Sequence, residues 1–562
     1  IDLADHAIEF IQDSQVNAPE KPFFLYYATG AGHAPHHVEP EWIEKYKGKF
    51  DMGWDEYRKI VFKRQQDMGI VPQDAELSVR DPDVPAWDSL SDDEKRMYAR
   101  QMEVYAAFIE QTDHHFGRIV DYLEKLGELD NTLIMVISDN GASAEGGVHG
   151  TFNEMLFFNR APETLEDNLG KFDEWGGPNT FPHYSWGWTW AGDTPFRRWK
   201  RETYRGGSSD PFVVFWPKGI QSAGEVRHQY AHAIDMVPTV LEALGLDPAQ
   251  TIRGVTQSPL QGVSFAHTFD ENEAETRRHT QYFEMFGHRA IYHEGWRAVC
   301  PFPGPSFAEA LEKGRYWGSP LTTEVLNDLD ATGWELYNIT EDHAETKNLA
   351  ADNPEKLQEM IQRWYTEAGL YGVLPLATGD LQRLNTPRPS IAAPRQQFVY
   401  YAGGAPVQFS AAPRVYNRPF SITAEVVIPE GGAEGLLLSH GNRHGGYAFY
   451  MKDGHLHHSH NYLGKEQFKV SSAEAVPAGE VTLRYEFEPT GEPDFSVGLG
   501  APGRSQLYIN AKLVGNVDLP HTVPNLFGIA GLSCGYDAYD AVNPDDYEAP
   551  FAFTGEIKQV VL

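Results

Sequence analysis

Near residue 375 the chain changes its hydrophobic rhythm, and that change excludes any fold built from one kind of layer. Before it, continuous apolar runs alternate with long amphipathic stripes. Leu133–Ile137 (LIMVI) and Phe212–Trp216 (FVVFW) read as strands buried on both faces, and Pro22–Thr29 (PFFLYYAT) reads as a further buried strand. Ser91–Glu94 (SDDE) is a capping box behind Leu90. Tyr98, Met102, Tyr105, Ile109, Phe116, Ile119, Leu123 and Leu126 then recur at 3–4 spacing up to Gly127, which predicts one long helix. Helices are also predicted over Asp235–Leu246 and Pro354–Leu370. Beyond the change only short β runs recur, at Phe398–Tyr401, Phe420–Ile428, Gly435–Leu438, Tyr447–Met451, Val481–Phe487, Leu507–Ile509, Phe527–Leu532 and Phe551–Leu562. Turn pairs such as Gly431-Gly432 and Asp453-Gly454 separate them. The expectation is an α/β region with a parallel or mixed sheet flanked by helices, followed by an all-β sandwich. We set the first region at 1–376, with a small α+β subdomain near 280–375. The Pro/Thr/Ala-rich stretch 377–396 is the linker and 397–562 the sandwich.

Charge and cysteine content narrow the function. With 46 Lys+Arg against 80 Asp+Glu the chain carries −34, and such a surface repels phosphate backbones, which excludes a nucleic-acid binder. No apolar run approaches the ~20 residues that span a bilayer. Cys300 and Cys534 are the only cysteines, so a disulfide scaffold and a Cys-based zinc site are excluded. Leu3, Ala7, Ile8 and Ile11 take helical spacing from the first residues. We therefore read the chain as opening inside a helix and lacking an N-terminal segment. On this reading the compartment is open: soluble, cytoplasmic or periplasmic in a bacterium.

Three polar clusters sit at strand ends, where α/β sheets bind ligands. After the first predicted strand comes Gly30-Ala31-Gly32-His33-Ala34-Pro35-His36-His37; His33 there suits hydrogen bonding to an anion or acid/base work, against the plainer reading of an exposed histidine loop. After the second comes Ser138-Asp139-Asn140-Gly141. Its carboxylate and amide oxygens are hard ligands for Ca²⁺ or another divalent cation, against the plainer reading of a turn. Before the third, Arg197 to Arg205 holds five basic residues in nine. Most of these are expected to be surface charges paired with acids, with one or two reaching inward to capture a small anion.

Taken together these motifs resemble the type I sulfatases of the alkaline-phosphatase superfamily, specifically bacterial arylsulfatases, over roughly residues 1–375. The resemblance is carried by His33-Ala34-Pro35, by SDNGASAEGG at Ser138–Gly147 and by Lys200…Gly206-Gly207 before a strand. His232–Thr239, Gly295-Trp296-Arg297 and WELYNITEDHAETKNLA at Trp334–Ala350 add to it. It implies Asp139 and Asn140 as metal ligands, Lys200 on the sulfate oxygens and His33 as acid on the leaving oxygen. The substrate it implies is a small anionic sulfate ester, with aryl sulfate as the expected class. Arg205 departs from the family pattern, which commonly has Glu before the two glycines. The family's nucleophile is a formylglycine matured from Cys or Ser in a Cys/Ser-x-Pro-x-Arg motif, and neither Cys300 nor Cys534 lies in one. The formylglycine and an early Asp pair are expected in the missing N-terminal segment. The chain alone is accordingly expected to bind metal weakly and to hydrolyse nothing. From about residue 397 the chain resembles concanavalin A-like (laminin-G-like) sandwiches, which implies a glycan as a partner there. His455–His460 (HLHHSH) reads as an alternating strand with solvent-facing histidines rather than a metal site. The alternatives weighed are a phosphatase or phosphonate-ester hydrolase and a non-catalytic glycan-binding protein.

Overall fold

The computed structural model describes residues 1–306, 310, 312, 315, 319–376 and 395–562. Its contacts divide the chain into two units that are not colinear with the sequence. The first comprises Ile1–Gly32, Tyr46–Ala144 and Trp186–Arg388; the second comprises His33–Lys45, Glu145–Ser185 and Pro389–Leu562.

The first unit is the α/β region. Helix α1 (Asp2–Asn17) buries Ala4, Ala7 and Ile11 against Ile119 and Leu123 of α2 (Asp92–Leu126). α2 starts as the sequence predicts. Ser91 accepts from the Glu94 amide while Glu94 reaches back to the Ser91 amide, and the helix stops at Gly127. Strands β1 (Ile134–Ile137) and β2 (Phe212–Phe215) pair antiparallel, with Ile134 opposite Phe215 and Ile137 opposite Phe212. The expected strand at Pro22–Thr29 carries no strand ladder. Phe23, Leu25 and Tyr27 pack on the α1–α2 cluster, whereas Phe24 is 80% and Tyr26 83% exposed. The alternation there marks one covered face, not the two that a fully buried strand would have. Helix α3 (Met236–Leu244) follows β2.

A second sheet in this unit is not legible strand by strand in the sequence. It runs β3 (Thr280–Met285), β4 (His288–His293), β5 (Trp296–Cys300) and β6 (Glu335–Asn338) in consecutive antiparallel order. Helices α4 (Thr323–Thr332) and α5 (Pro354–Leu370) cover it, with Leu329, Met360, Trp364 and Ala368 against Ile291, Ala298 and Leu336.

The second unit holds two antiparallel sheets. One has the order β15-β14-β13-β8-β17-β7: Lys512–Leu519, Gly503–Ile509, Gly479–Pro489, Phe420–Ile428, Glu556–Val561 and Val399–Tyr400. The other has the order β12-β11-β10-β9-β16: Glu466–Ser471, His455–Tyr462, Gly445–Lys452, Gly435–Asn442 and Leu532–Cys534. β8 alternates buried and exposed residues, as a strand with one covered face should. β11 does not. His457, His458 and His460 are buried, so the histidines expected to face solvent are core residues. His458 stacks on Tyr485 of the facing sheet at 3.5 Å between ring centroids and 8° between planes. Imidazole serves here as a flat neutral ring. The expected run Phe527–Leu532 forms a strand only from Leu532. Cys300 and Cys534 are buried free thiols. The linker expected over 377–396 lies, apart from its last two residues, outside the described residues. Among the described residues no helix is long and apolar enough to cross a membrane.

Candidate functional site

In the first unit, β1 delivers Ser138–Gly141 to the end of the strand pair. The Ser138 amide donates to the Pro211 carbonyl at 3.2 Å, which extends the pairing with β2 by one step. The Ser138 hydroxyl then donates to the Asn140 carbonyl (3.0 Å), and the Asn140 side-chain amide donates to Oδ1 of Asp139 (2.6 Å). This leaves Asp139 exposed and Asn140 half-buried. The following residues are fixed one by one. The Ala142 amide donates to Asp193 (2.8 Å), the Lys200 amide donates to the Ala142 carbonyl (2.9 Å), and Thr189 and Trp186 donate to the carbonyls of Ser143 and Ala144 (2.8 Å each). A Cβ at Gly141 would lie 1.8 Å from the Gly206 carbonyl oxygen, and one at Gly206 would lie 2.2 Å from that of Arg197. Both positions exclude any larger residue, so the Asp139–Asn140 turn and the Lys200–Gly207 segment meet backbone to backbone. Lys200 is thereby held beside the loop that carries Asp139 and Asn140.

Two carboxylates that sequence reading missed belong to the same place. Burial, with the Asp139 charge adding to it, pushes the Asp210 carboxyl up to about 7. Burial also raises Asp193 well above the carboxylate range, and Asp210 adds to this. Asp210 precedes Pro211, so the antiparallel register alone would have found it; the separate sequence motifs could not.

The basic stretch departs from expectation. Arg198 is buried between Asp81 and Asp83, both at 3.1 Å, with Glu202 at 3.8 Å. Arg197 donates to Tyr337 (2.8 Å). Arg205, where Glu was expected, donates its amide to Glu345 (2.8 Å) and its guanidinium to the His343 carbonyl (2.5 Å), and lies over Phe196. These arginines are structural ions in the interior, where surface charges were expected.

In the second unit, His33 is exposed. Its Nδ1 lies 2.8 Å from the Ala34 carbonyl and its Nε2 lies 3.8 Å from Oε2 of the buried Glu145. Its neighbour His36 is fully buried, with ring centroids 5.0 Å from both His183 and Tyr184. Burial, and then the neighbouring His183, hold its pKa well below the ordinary imidazole value. His37 donates from Nε2 to the Thr180 carbonyl at 2.7 Å, with its pKa also lowered by burial. Thus Asp139, Asn140 and Lys200 are brought together in the first unit, and His33 keeps company with Glu145 and the His36–His183 pair in the second. The tight histidine packing around His36 had no signature beyond the run of histidines itself.

The residues present do not make a metal centre by themselves. Among the described residues no group of three or more His, Cys, Asp or Glu is arranged to hold an ion. Asp139 and Asn140 supply two hard oxygens, one already engaged by the Asn140 amide, where Ca²⁺ takes 6–8. Neither thiol is set up as a nucleophile, since burial pushes both Cys300 and Cys534 up to about 12.

Comparison with known proteins agrees with this region's motifs. The family model described as Sulfatase matches residues 1–246. An uncharacterised sulfatase of Schizosaccharomyces pombe is 30% identical over 358 residues, covering 63% of this chain and 58% of its own length. An arylsulfatase of Klebsiella aerogenes is 27% identical over 248 residues, covering 44% and 51%. The crystal structure of Ps i-CgsB aligns over 65% of this chain and 54% of its own, at 20% identity and a TM-score of 0.36. The chain spans about half the length of the curated relatives it matches. Through its first 246 residues it is similar to the sulfatases.

Proposed function

We propose that this chain belongs to a sulfuric ester hydrolase that acts on an aryl sulfate. Residues 1–376 form the hydrolase region and 397–562 a concanavalin A-like sandwich. The observation that carries the reading is the sulfatase match over residues 1–246, which contains His33, Asp139, Asn140 and Lys200. In this reading Lys200 presents its ammonium donors to the sulfuryl oxygens and counters the charge that grows there in transfer. The imidazole of His33, oriented by its Nδ1–H on the Ala34 carbonyl, gives a proton from Nε2 to the departing oxygen. Asp139 and Asn140 contribute two of the oxygens of a divalent-cation shell, with Ca²⁺ as the expected ion. The nucleophile is a formylglycine outside residues 1–562.

The test compares initial rates on matched aryl sulfate and aryl phosphate, with Ca²⁺, for the parent protein and its Lys200→Ala form. Preference for the sulfate and a loss of about 10²–10³ in kcat/KM on substitution support the reading. Preference for the phosphate overturns it in favour of a phosphatase. Residues 1–562 alone are expected to turn over neither ester; Lys200-dependent turnover by them would overturn the placement of the nucleophile.

A further inference from the structure

We propose that the β-sandwich sets the position of the histidine loop, and that Asn153 is the positioning residue through which it does so. The loop around His33–Val38 has no regular structure of its own. Its backbone is strung on the segment 176–183: the His36 amide donates to the Pro182 carbonyl and the Val38 amide to the Gly176 carbonyl, both at 3.1 Å. Together with the His37–Thr180 bond, these fix the loop at three successive residues. The supporting segment is in turn paired with residues 151–154. Thr151 and His183 exchange both amide–carbonyl bonds at 2.9 Å, and the Phe181 amide donates to the Phe152 carbonyl at 2.7 Å.

Such a ladder, two isolated bridges long, does not stand by itself. Glu163 and Asn168 accept from the Phe152 amide at 3.0 Å each, and Asn153 carries the link on to the sandwich turns. Asn153 is fully buried, and its Nδ2 donates to the backbone carbonyls of His444 (2.9 Å) and Leu463 (2.8 Å), while its Oδ1 accepts from the Met155 amide (3.1 Å). Those two carbonyls sit in the turns that join β9 to β10 and β11 to β12. Asn159 repeats the device six residues on. It accepts from the amides of Asn525 and Leu526 and donates to the Leu526 carbonyl at 2.7 Å. Only an amide side chain brings two donors and an acceptor to one point; a carboxylate would face two carbonyls, and an alkyl group would leave both unpaired in the interior.

The consequence for catalysis rests on the histidine loop belonging to the reacting site, as proposed above. On that footing the sandwich is the base on which His33 and His36 are placed, and it is not a detachable sugar-binding module. The test uses the full chain and reads no turnover, so failure of the sulfatase reading leaves its outcomes unaltered. In Asn153→Ala, amide exchange at His36, Val38 and His183 should rise about tenfold or more, as expected when two buried hydrogen bonds are lost. The ring ¹⁵N resonances of His36 should move, while those of His288 and the exchange of Leu483 and Tyr485 stay unchanged. Asn153→Ser, which keeps one donor, should show the same pattern more weakly and serves if the alanine form does not fold. Unchanged exchange at His36 and Val38 in a folded variant would overturn the proposal. So would a rise spread evenly through the β8–β13 ladder.

Discussion

In the first unit Arg198 lies between three carboxylates, Arg297 is paired with Glu345 and Arg278 with Asp235, all largely buried. In the second unit most of the basic and carboxyl groups buried as deeply are imidazoles, beside the carboxyls of Glu154 and Asp537. His440 meets the edge of Phe527, His444 that of Phe181, and His460 accepts the Val523 amide at Nε2. One interior is organised by ions and the other by neutral rings and strand ladders. The difference shows on the surface too. β1 and β2 leave Val136 and Val213 44% and 59% exposed, whereas β9 and β10 are buried along almost their whole length. A buried ion pair fixes geometry at a desolvation cost that only full pairing offsets; a ring stack asks only that the ring stay uncharged.

The contrast should be largest in acid. Burial holds His444 and His460 at about 3 and His440 at about 4, all below the ordinary imidazole value. The unfolded chain therefore binds more protons below about pH 6.5. The cost of keeping these rings uncharged is absent above that pH, grows as pH falls below about 6.5 and levels off near 4 to 3, on the order of 10 kcal/mol for the three together at pH 4. In the first unit the Glu202 pKa is lowered: burial alone would raise it, but His288 and Arg198 outweigh burial, so its contribution persists down to about pH 4.5 and fades below. Hydrogen exchange followed from pH 7 to 4 should show β9–β11 losing protection before β4 and β5. Simultaneous loss would erase the distinction.

Single substitutions sharpen it. Arg297→Met takes the ion-pair partner from the buried Glu345 and should cost about 3–5 kcal/mol in urea unfolding. His458→Phe keeps a ring of similar shape on Tyr485 and should cost less than about 1 kcal/mol. Equal losses would mean that the imidazoles work as polar anchors after all. Smallest of all, Val213→Thr on the open face of β2 should change the unfolding free energy, read from the same urea curves, by no more than about 0.5 kcal/mol.

Much of this was legible where one local rule governs. The Ser91–Glu94 box and the 3–4 stripe gave α2, and the alternation of Phe420–Ile428 gave β8. The Lys200–Gly207 motif lies against Asp139–Asn140 because glycines at Gly141 and Gly206 allow backbone contact. What failed depended on partners distant in sequence. Pro22–Thr29 has strand composition but no strand beside it. His457–His460 look hydrophilic until the facing sheet supplies Tyr485 and Phe527 packs on His460. Arg198 looks like surface until Asp81 and Asp83 arrive from more than a hundred residues away. Asp193 and Asp210 carry no motif; the β1–β2 register reveals Asp210, and only its charge leads on to Asp193.

The interleaved build of the second unit imposes an order on synthesis. Residues 33–45 and 145–185 leave the ribosome well before the sheets whose turns and loops Asn153 and Asn159 bond to are complete, the last of those strands ending at Val561. At 5–20 residues per second that wait lasts roughly 20–80 seconds. For that time Phe152, Phe181 and the histidines around them lack the surface they are buried on in the finished protein. A nascent chain of this design has long exposure to chaperones and proteases as its ordinary state.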